Sequence, residues 1–252
     1  MVKKRIIPII LLKEGRCVKG VNFKDFRDVG NPTTVARVYD AQKADELVFL
    51  DIMANHEDRS TLFEVVRKTA DECFMPLCVG GGVKSISDIR VLLKNGADKV
   101  SINTAAVENP TLVEEAVKIF GSSTILVSID VKKTEKFGHE VFTHSGTVAT
   151  GLNALDWAKQ VERLGAGEIL ITSIDQEGTR NGYDLDLVKV IVNNVGIPVI
   201  ASGGVGNLKD LEDGINIGGA SGVSLGSILH FTDQNVIKAR NYFKTVGINV
   251  RM

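Results

Sequence analysis

One half of this 252-residue chain is a diverged copy of the other. The segment GGVKSISDIRVLLKNGADKVSINTA from Gly81 aligns with GGVGNLKDLEDGINIGGASGVSLGS from Gly203, about half a chain later. DELVFLDI from Asp45 aligns with GEILITSI from Gly167, and RIIPIILLK from Arg5 aligns with TILVSIDVK from Thr124. The repeating unit is far longer than the roughly 20 to 50 residues of a solenoid repeat. Whatever one half folds into, the other half must build again.

Within each half, short apolar runs alternate with helix-like stretches. The runs are RIIPIILL, DELVFLDI, MPLCVGG, ADKVSIN, STILVSID, GEILITSID, IPVIASGG and ASGVSLGS. Between them, segments such as VARVYDAQKAD, TLFEVVRKTADEC, SISDIRVLLKNG, PTLVEEAVKIFG and ALDWAKQVERLG place apolar residues three and four apart. Strands too apolar to leave one face in water require parallel pairing under covering helices. Eight strand–helix units in two fourfold halves predict an α/β chain closed as a (β/α)8 TIM barrel, a fold that typically takes about 250 residues. An open doubly wound sheet does not ordinarily repeat in this way. With no linker in the chain, a single domain over residues 1–252 is expected, its half-barrels spanning about 1–122 and 123–252.

Charge excludes some functions. Thirty Lys and Arg balance thirty-one Asp and Glu, and no long basic run suits a nucleic acid. The N-terminal MVKKRIIPIILL opens like a signal peptide, but its apolar run is short, is broken by Pro8 and meets KEGR instead of a cleavage site. A cytoplasmic protein, not bound to membrane, is expected. Cys17, Cys73 and Cys78 are odd in number and lack metal-ligand spacing, so free thiols are expected, with no metal and no cofactor.

In such a barrel a ligand site lies at the C-terminal ends of the strands. The residues there include Asp51, Gly81, Gly82, Asn103, Thr104, Asp130, Thr172, Ser173, Gly203, Gly204, Gly226 and Ser227. Glycine pairs at strand-to-helix turns let backbone N–H groups approach a phosphate, although tight turns also use glycine for backbone reasons alone. Two copies of the turn, each followed by a strand ending in Asn103-Thr104 or Gly226-Ser227, point to a substrate phosphorylated at both ends. Asp130 closes an apolar strand and is either a structural carboxylate or a general acid/base; Asp51 raises the same question. His56, His139, His144 and His230 sit in polar or terminal contexts and read as surface residues, His144 in a THSG loop near the mouth. Arg5, Glu46, Lys99 and Glu168 stand at strand starts. Each alone is an ordinary solvated charge, and together they could close the bottom of the barrel as a neutral ring.

Along essentially its whole length the chain resembles the cyclase subunit of imidazole glycerol phosphate synthase. The resemblance rests on KRIIP, GRCVKGVNF, DELVFLDI, VGGGV, GADKVSINTAAVENP, GAGEILITSID, GTRNGYD, IASGGVG and VGINVRM. It implies a barrel with a glutaminase subunit docked on its bottom face as a heterodimer, Asp98 belonging to the docking surface. Ammonia would pass a gate matching Arg5, Glu46, Lys99 and Glu168 and cross the barrel core. In the family it then closes an imidazole ring on a bisphosphorylated precursor, releasing aminoimidazole carboxamide ribotide. Positions matching Gly82, Asn103 and Thr104 would hold one phosphate, and Gly178, Gly204, Gly226 and Ser227 the other. Lys19 matches a mobile loop residue that closes over substrate.

The family uses two facing carboxylates at the ends of strands one and five. Asp130 matches the second, and Leu11 stands in the place of the first. The internal repeat gives the same result without the family, because aligning RIIPIILLK with TILVSIDVK sets Leu11 opposite Asp130. A positioned acid or base typically contributes a factor of about 10² to 10⁴ in rate, and leucine supplies neither. Glu177, where the family usually has aspartate, and Ile9 also depart from the pattern. Three readings follow. An authentic lyase-type cyclase of histidine synthesis would need a substitute carboxylate, Asp51 or Glu14. A divergent copy would keep docking and conduction and feed ammonia to a third synthase, a setting the resemblance connects with amidation of bacterial surface sugars. A lone phosphosugar isomerase would also need both acids and would have no use for a charged gate. The second is the expectation carried forward.

Overall fold

Eight parallel strands close on themselves in the computed structural model, which describes residues 3–53 and 60–251. They are β1 (Arg5–Lys13), β2 (Leu47–Asp51), β3 (Leu77–Gly80), β4 (Lys99–Ile102), β5 (Ile125–Thr134), β6 (Glu168–Ser173), β7 (Val199–Ser202) and β8 (Gly222–Leu225). Each pairs with the next along the chain, and β8 returns to β1 with Val223 opposite Ile6. The seam between β5 and β6 sets Thr172 opposite Asp130.

Both faces of these strands are buried, which accounts for their unbroken runs of Val, Ile and Leu. Successive side chains point to opposite faces. Ile7, Ile9, Leu11, Val48, Cys78, Leu126, Leu170 and Ile200 fill the barrel interior as one cluster, while Ile6, Phe49, Val79 and Ile129 belong to the larger core under the helices.

The helices are α1 (Pro32–Ala41), α2 (Ser60–Glu72), α3 (Ile86–Lys94), α4 (Thr111–Phe120), α5 (Ala154–Arg163), α6 (Leu185–Val192), α7 (Leu208–Asn216) and α8 (Val236–Thr245). α1 starts three residues ahead of the first apolar position in its pattern because Asn31 caps it and Pro32 suits its first turn. α5 buries Trp157 and Val161, and the Asn153 side chain accepts hydrogen bonds from the amides of Leu155 and Asp156. Among the described residues no helix is long and apolar enough to cross a membrane.

The duplication extends to insertions the sequence reading treats as loops. After β1 comes a hairpin of Arg16–Val21 and Lys24–Gly30, and after β5 one of Gly138–Thr143 and Val148–Asn153. Short helices Thr104–Glu108 and Ser227–Phe231 follow β4 and β8. Both hairpins and both short helices leave the C-terminal ends of the strands, so each half supplies matching walls to one mouth.

Candidate functional site

The mouth encloses a cavity of about 360 Å³. Gly82, Asn103 and Thr104 line it, and so do Gly178, Gly204, Gly226 and Ser227. Every residue expected to hold phosphate therefore reaches the same cavity. Backbone packing also demands glycine at some of these turns. Gly81 and Gly204 have φ of 99° and 109°, and a Cβ would lie 2.1 Å from the Asp51 carbonyl oxygen at the first and 2.0 Å from that of Gly182 at the second. At Gly226 the missing side chain instead makes room for Lys19, whose Cε would be 2.9 Å from a Cβ.

Asp130 and Leu11 both line the cavity and are both nearly buried, at 8% and 9% exposure. Burial pushes the Asp130 carboxyl up to about 7, against the Asn103 amide, whose Nδ2 donates to Oδ2 at 2.7 Å. Asn103 is therefore engaged by the acid, and its own Oδ1 is buried with no hydrogen-bond partner among the described residues. Leu11 belongs to an apolar wall with Ile9 and Val18, against which Phe26, Leu50 and Ile52 pack. Of the two carboxylates weighed as substitutes, Asp51 lines the cavity and its Oδ1 accepts from the Met53 amide at 2.9 Å. Glu14 is exposed in the turn after β1, away from the cavity lining.

Five hydroxyl residues escaped the sequence reading as a group: Ser101, Ser128, Thr172, Ser202 and Ser224, one from each of β4 to β8. All are buried and all line the cavity, facing the apolar wall from β1 and β2. The period of two was the available signal, since Ser128 stands two residues before Asp130 and so shares its face.

Lys19 is buried and ion-paired with Glu177. Burial pushes its ammonium down to about 8. Asn22, three residues on, donates from its backbone to the Glu177 carbonyl at 2.8 Å and from Nδ2 to the carbonyls of Ile174 and Asp175 at 2.8 and 2.9 Å. The longer acid at 177 thus clasps the first hairpin onto the loop after β6.

The histidines divide. His144 is exposed and lines the mouth as expected, whereas two others correct the surface reading. His230 is half-buried with its Nε2 3.4 Å from the Tyr39 hydroxyl, and burial, with help from Lys19, lowers it to about 4. His139 is half-buried with Nε2 3.3 Å from the Asp184 carboxylate, because the second hairpin folds down onto the cap of α6. His56 lies outside the described residues. All three cysteines are buried free thiols.

At the opposite end, the four charges from strand starts meet. Arg5 reaches Glu46 at 3.0 Å and also pairs with Glu168, while Lys99 lies 2.9 Å from each carboxylate. The carboxylates are almost dry and the cations about a fifth exposed. Burial raises Glu46, its neighbour Glu168 adding to the effect against Lys99 and Arg5. Burial is also the largest single influence on Glu168 and opposes its ionisation, but the hydrogen bonds and charges of Arg5 and Lys99 together outweigh it and hold the carboxyl below the ordinary value. Asp98 is exposed at this same end, its Oδ2 accepting from the Leu77 amide at 2.8 Å.

A family model described as "Histidine biosynthesis protein" matches residues 5–235. The match begins at Arg5 of the charged ring and ends at Asn235, the cap of α8. It takes in all eight strands together with both ends of the barrel. This chain is a member of the histidine biosynthesis protein family.

Proposed function

We propose that this chain is the barrel subunit of a glutamine-dependent complex, homologous to the imidazole glycerol phosphate synthase cyclase, that docks a glutaminase and conducts its ammonia without efficient ring closure. The observation that carries this reading is the contrast between the ends of the barrel. The four-charge ring is complete, while Leu11 faces the mouth in place of an acid. Phe74, 91% exposed just ahead of β3, and Asp98 just ahead of β4 supply the rim on which a glutaminase would sit.

Ammonia would pass where Arg5 or Lys99 swings outward, since these are the more exposed members of the ring. Above them, Ile7, Val48, Cys78, Leu126, Leu170 and Ile200 form an apolar section of the interior. Neutral ammonia crosses such a section far more readily than ammonium, because burying an unpaired charge is costly. The five hydroxyls then offer hydrogen bonds at the mouth, from which a third, ammonia-accepting synthase would draw. Surface-sugar amidation in the cytoplasm is the setting suggested by the resemblance.

Authentic cyclisation in histidine synthesis is the second reading, favoured by Asp51 in the cavity and by an Asp130 carboxyl poised near neutrality. Ammonia-dependent turnover of the bisphosphorylated cyclase substrate by the native chain and by Leu11→Asp separates the two. Little native turnover and a gain of about 10²-fold or more in the variant is expected; native turnover at the level of a proficient cyclase would overturn the conduit reading. Binding of a glutaminase subunit is expected in both cases, and its failure would remove the conduit.

A further inference from the structure

Two buried charges sit behind the four-charge ring without belonging to it. Arg240, on α8, is 8% exposed, and Asp45, one residue ahead of Glu46, is 5% exposed. Nη2 of the arginine lies 3.3 Å from Oδ2 of the aspartate. The same guanidinium donates to the carbonyls of Lys43 and Arg251, while its Nε is buried with no partner among the described residues. A buried N–H without an acceptor carries an uncompensated desolvation cost. A well-packed apolar pair of similar volume is often as stable as a buried ion pair, or more so. Stability alone therefore does not account for these two charges.

Their position does. The Asp45 amide donates to the Ile6 carbonyl at 3.1 Å, and the Ile6 amide donates back to Asp45 Oδ2 at 2.8 Å. Asp45 and Ile6 thus continue, three residues lower, the register that sets Val48 opposite Ile9. Because successive side chains point to opposite faces, Asp45 and Ile6 face the helices while Glu46 and Arg5 face the barrel axis. Arg240 therefore grips, from outside, the two strand starts that carry half of the ring inside. Other strand starts show what the arginine adds. Asp98, one residue ahead of Lys99, makes the same two bonds with Leu77, each at 2.8 Å, yet is exposed. Gly167, which the repeat sets opposite Asp45, has the backbone bond to Ile125 at 3.0 Å and no side chain to add a second. The bracket between strands forms without an arginine; Arg240 ties that bracket to α8.

We propose that Asp45 and Arg240 are positioning residues for the gate: the buried pair fixes the starts of β1 and β2 and so holds Arg5 and Glu46 where they meet Glu168 and Lys99. This inference rests on the conduit reading, and its test separates the two.

Cys78 supplies the readout. Its thiol lies in the barrel interior, close enough to the ring to feel the charges of Glu46, Lys99 and Glu168, whereas Cys17 and Cys73 are buried in the outer core. Labelling of a buried thiol follows local opening. The full chain is treated with methyl methanethiosulfonate, a small uncharged thiol reagent, and the labelling rate of each cysteine is followed by peptide mass spectrometry. Arg5→Ala breaks the ring directly and is expected to raise the Cys78 rate by about tenfold or more. Asp45→Asn with Arg240→Met, which removes both buried charges together, is expected to raise it by about fivefold or more, with Cys17 and Cys73 within about twofold of native. Arg240→Lys, which keeps a cation beside Asp45 and disturbs the fold least, is expected to raise it about threefold with the same selectivity. Equal acceleration of all three thiols would make the pair a general stabiliser and overturns the proposal, as does a native Cys78 rate in both clamp variants. No acceleration by Arg5→Ala would remove the gate itself, overturning the conduit reading together with this proposal.

Discussion

Asp130 carries its burial as a pH-dependent cost. Its carboxyl titrates near 7 in the folded chain against an ordinary value of 3.8, so the folded state holds the proton over a range where the unfolded state has released it. Burial of the ionised group is thus felt in full above about pH 7, fades as pH falls, and is gone below about pH 4. Three pH units correspond to at most about 4 kcal/mol. Asp130→Asn, which can still accept from Asn103, is expected to unfold at a higher temperature than the native chain at pH 8 and at the same temperature at pH 4. Equal melting at pH 8 would show that water in the mouth already solvates the carboxylate. At this scale the sequence was informative wherever the repeat supplied a comparison: Leu11 stood out because its counterpart in the other half is an acid. It could not reveal that Asn103 faces Asp130, because that contact joins the ends of adjacent strands 27 residues apart. Nor could it place His230 against Tyr39, 191 residues away, since polar neighbours in sequence do not measure burial in the fold.

The strands and helices follow from apolar periodicity, but the first hairpin shows where that signal fails. KGVNF has no long alternating pattern, and what fixes its position is a set of contacts to the loop after β6. Asn22 sits at φ 49°, a conformation tolerated by asparagine and free for glycine. Asn22→Gly therefore keeps the backbone while removing both side-chain bonds to the carbonyls of Ile174 and Asp175. At about 0.5 to 1.5 kcal/mol for each bond, amides of residues 16–30 should exchange at least several-fold faster, measured by hydrogen exchange, with little change in global melting. Unchanged protection would mean that the Lys19–Glu177 ion pair and the backbone bond from residue 22 to the Glu177 carbonyl hold the hairpin without the Asn22 side chain. The glycine turns illustrate a different limit: their sequence is the same whether glycine serves a close backbone approach or a phosphate, and at Gly81 and Gly204 the approach alone suffices.

The charged ring exists only at the scale of the whole barrel, because its members come from four separate strand starts and meet only when the cylinder closes. Its carboxylates are not equivalent. Glu168, held below the ordinary value, stabilises the fold above that value and loses its contribution as pH falls through its lowered one; Glu46, raised, does the reverse. At neutral pH, Glu168→Gln should therefore cost more than Glu46→Gln. Removing one partner of a buried pair costs about 3 to 5 kcal/mol, and partial exposure of Arg5 and Lys99 reduces this to roughly 2 to 3 for Glu168; urea unfolding of both variants at pH 7 tests the order. Closure itself was legible from eight apolar runs in two matching halves, whereas the mutual distances of the ring charges were not. On the same end, Phe74 leaves a phenyl ring almost wholly in water. The hydrophobic attraction of such a ring is non-directional and does not depend on which apolar surface it meets. If a glutaminase covers that ring, as proposed, the two chains would have to be synthesised in step, so that imbalance in dosage, before any change in chemistry, would show first as loss of material to aggregates.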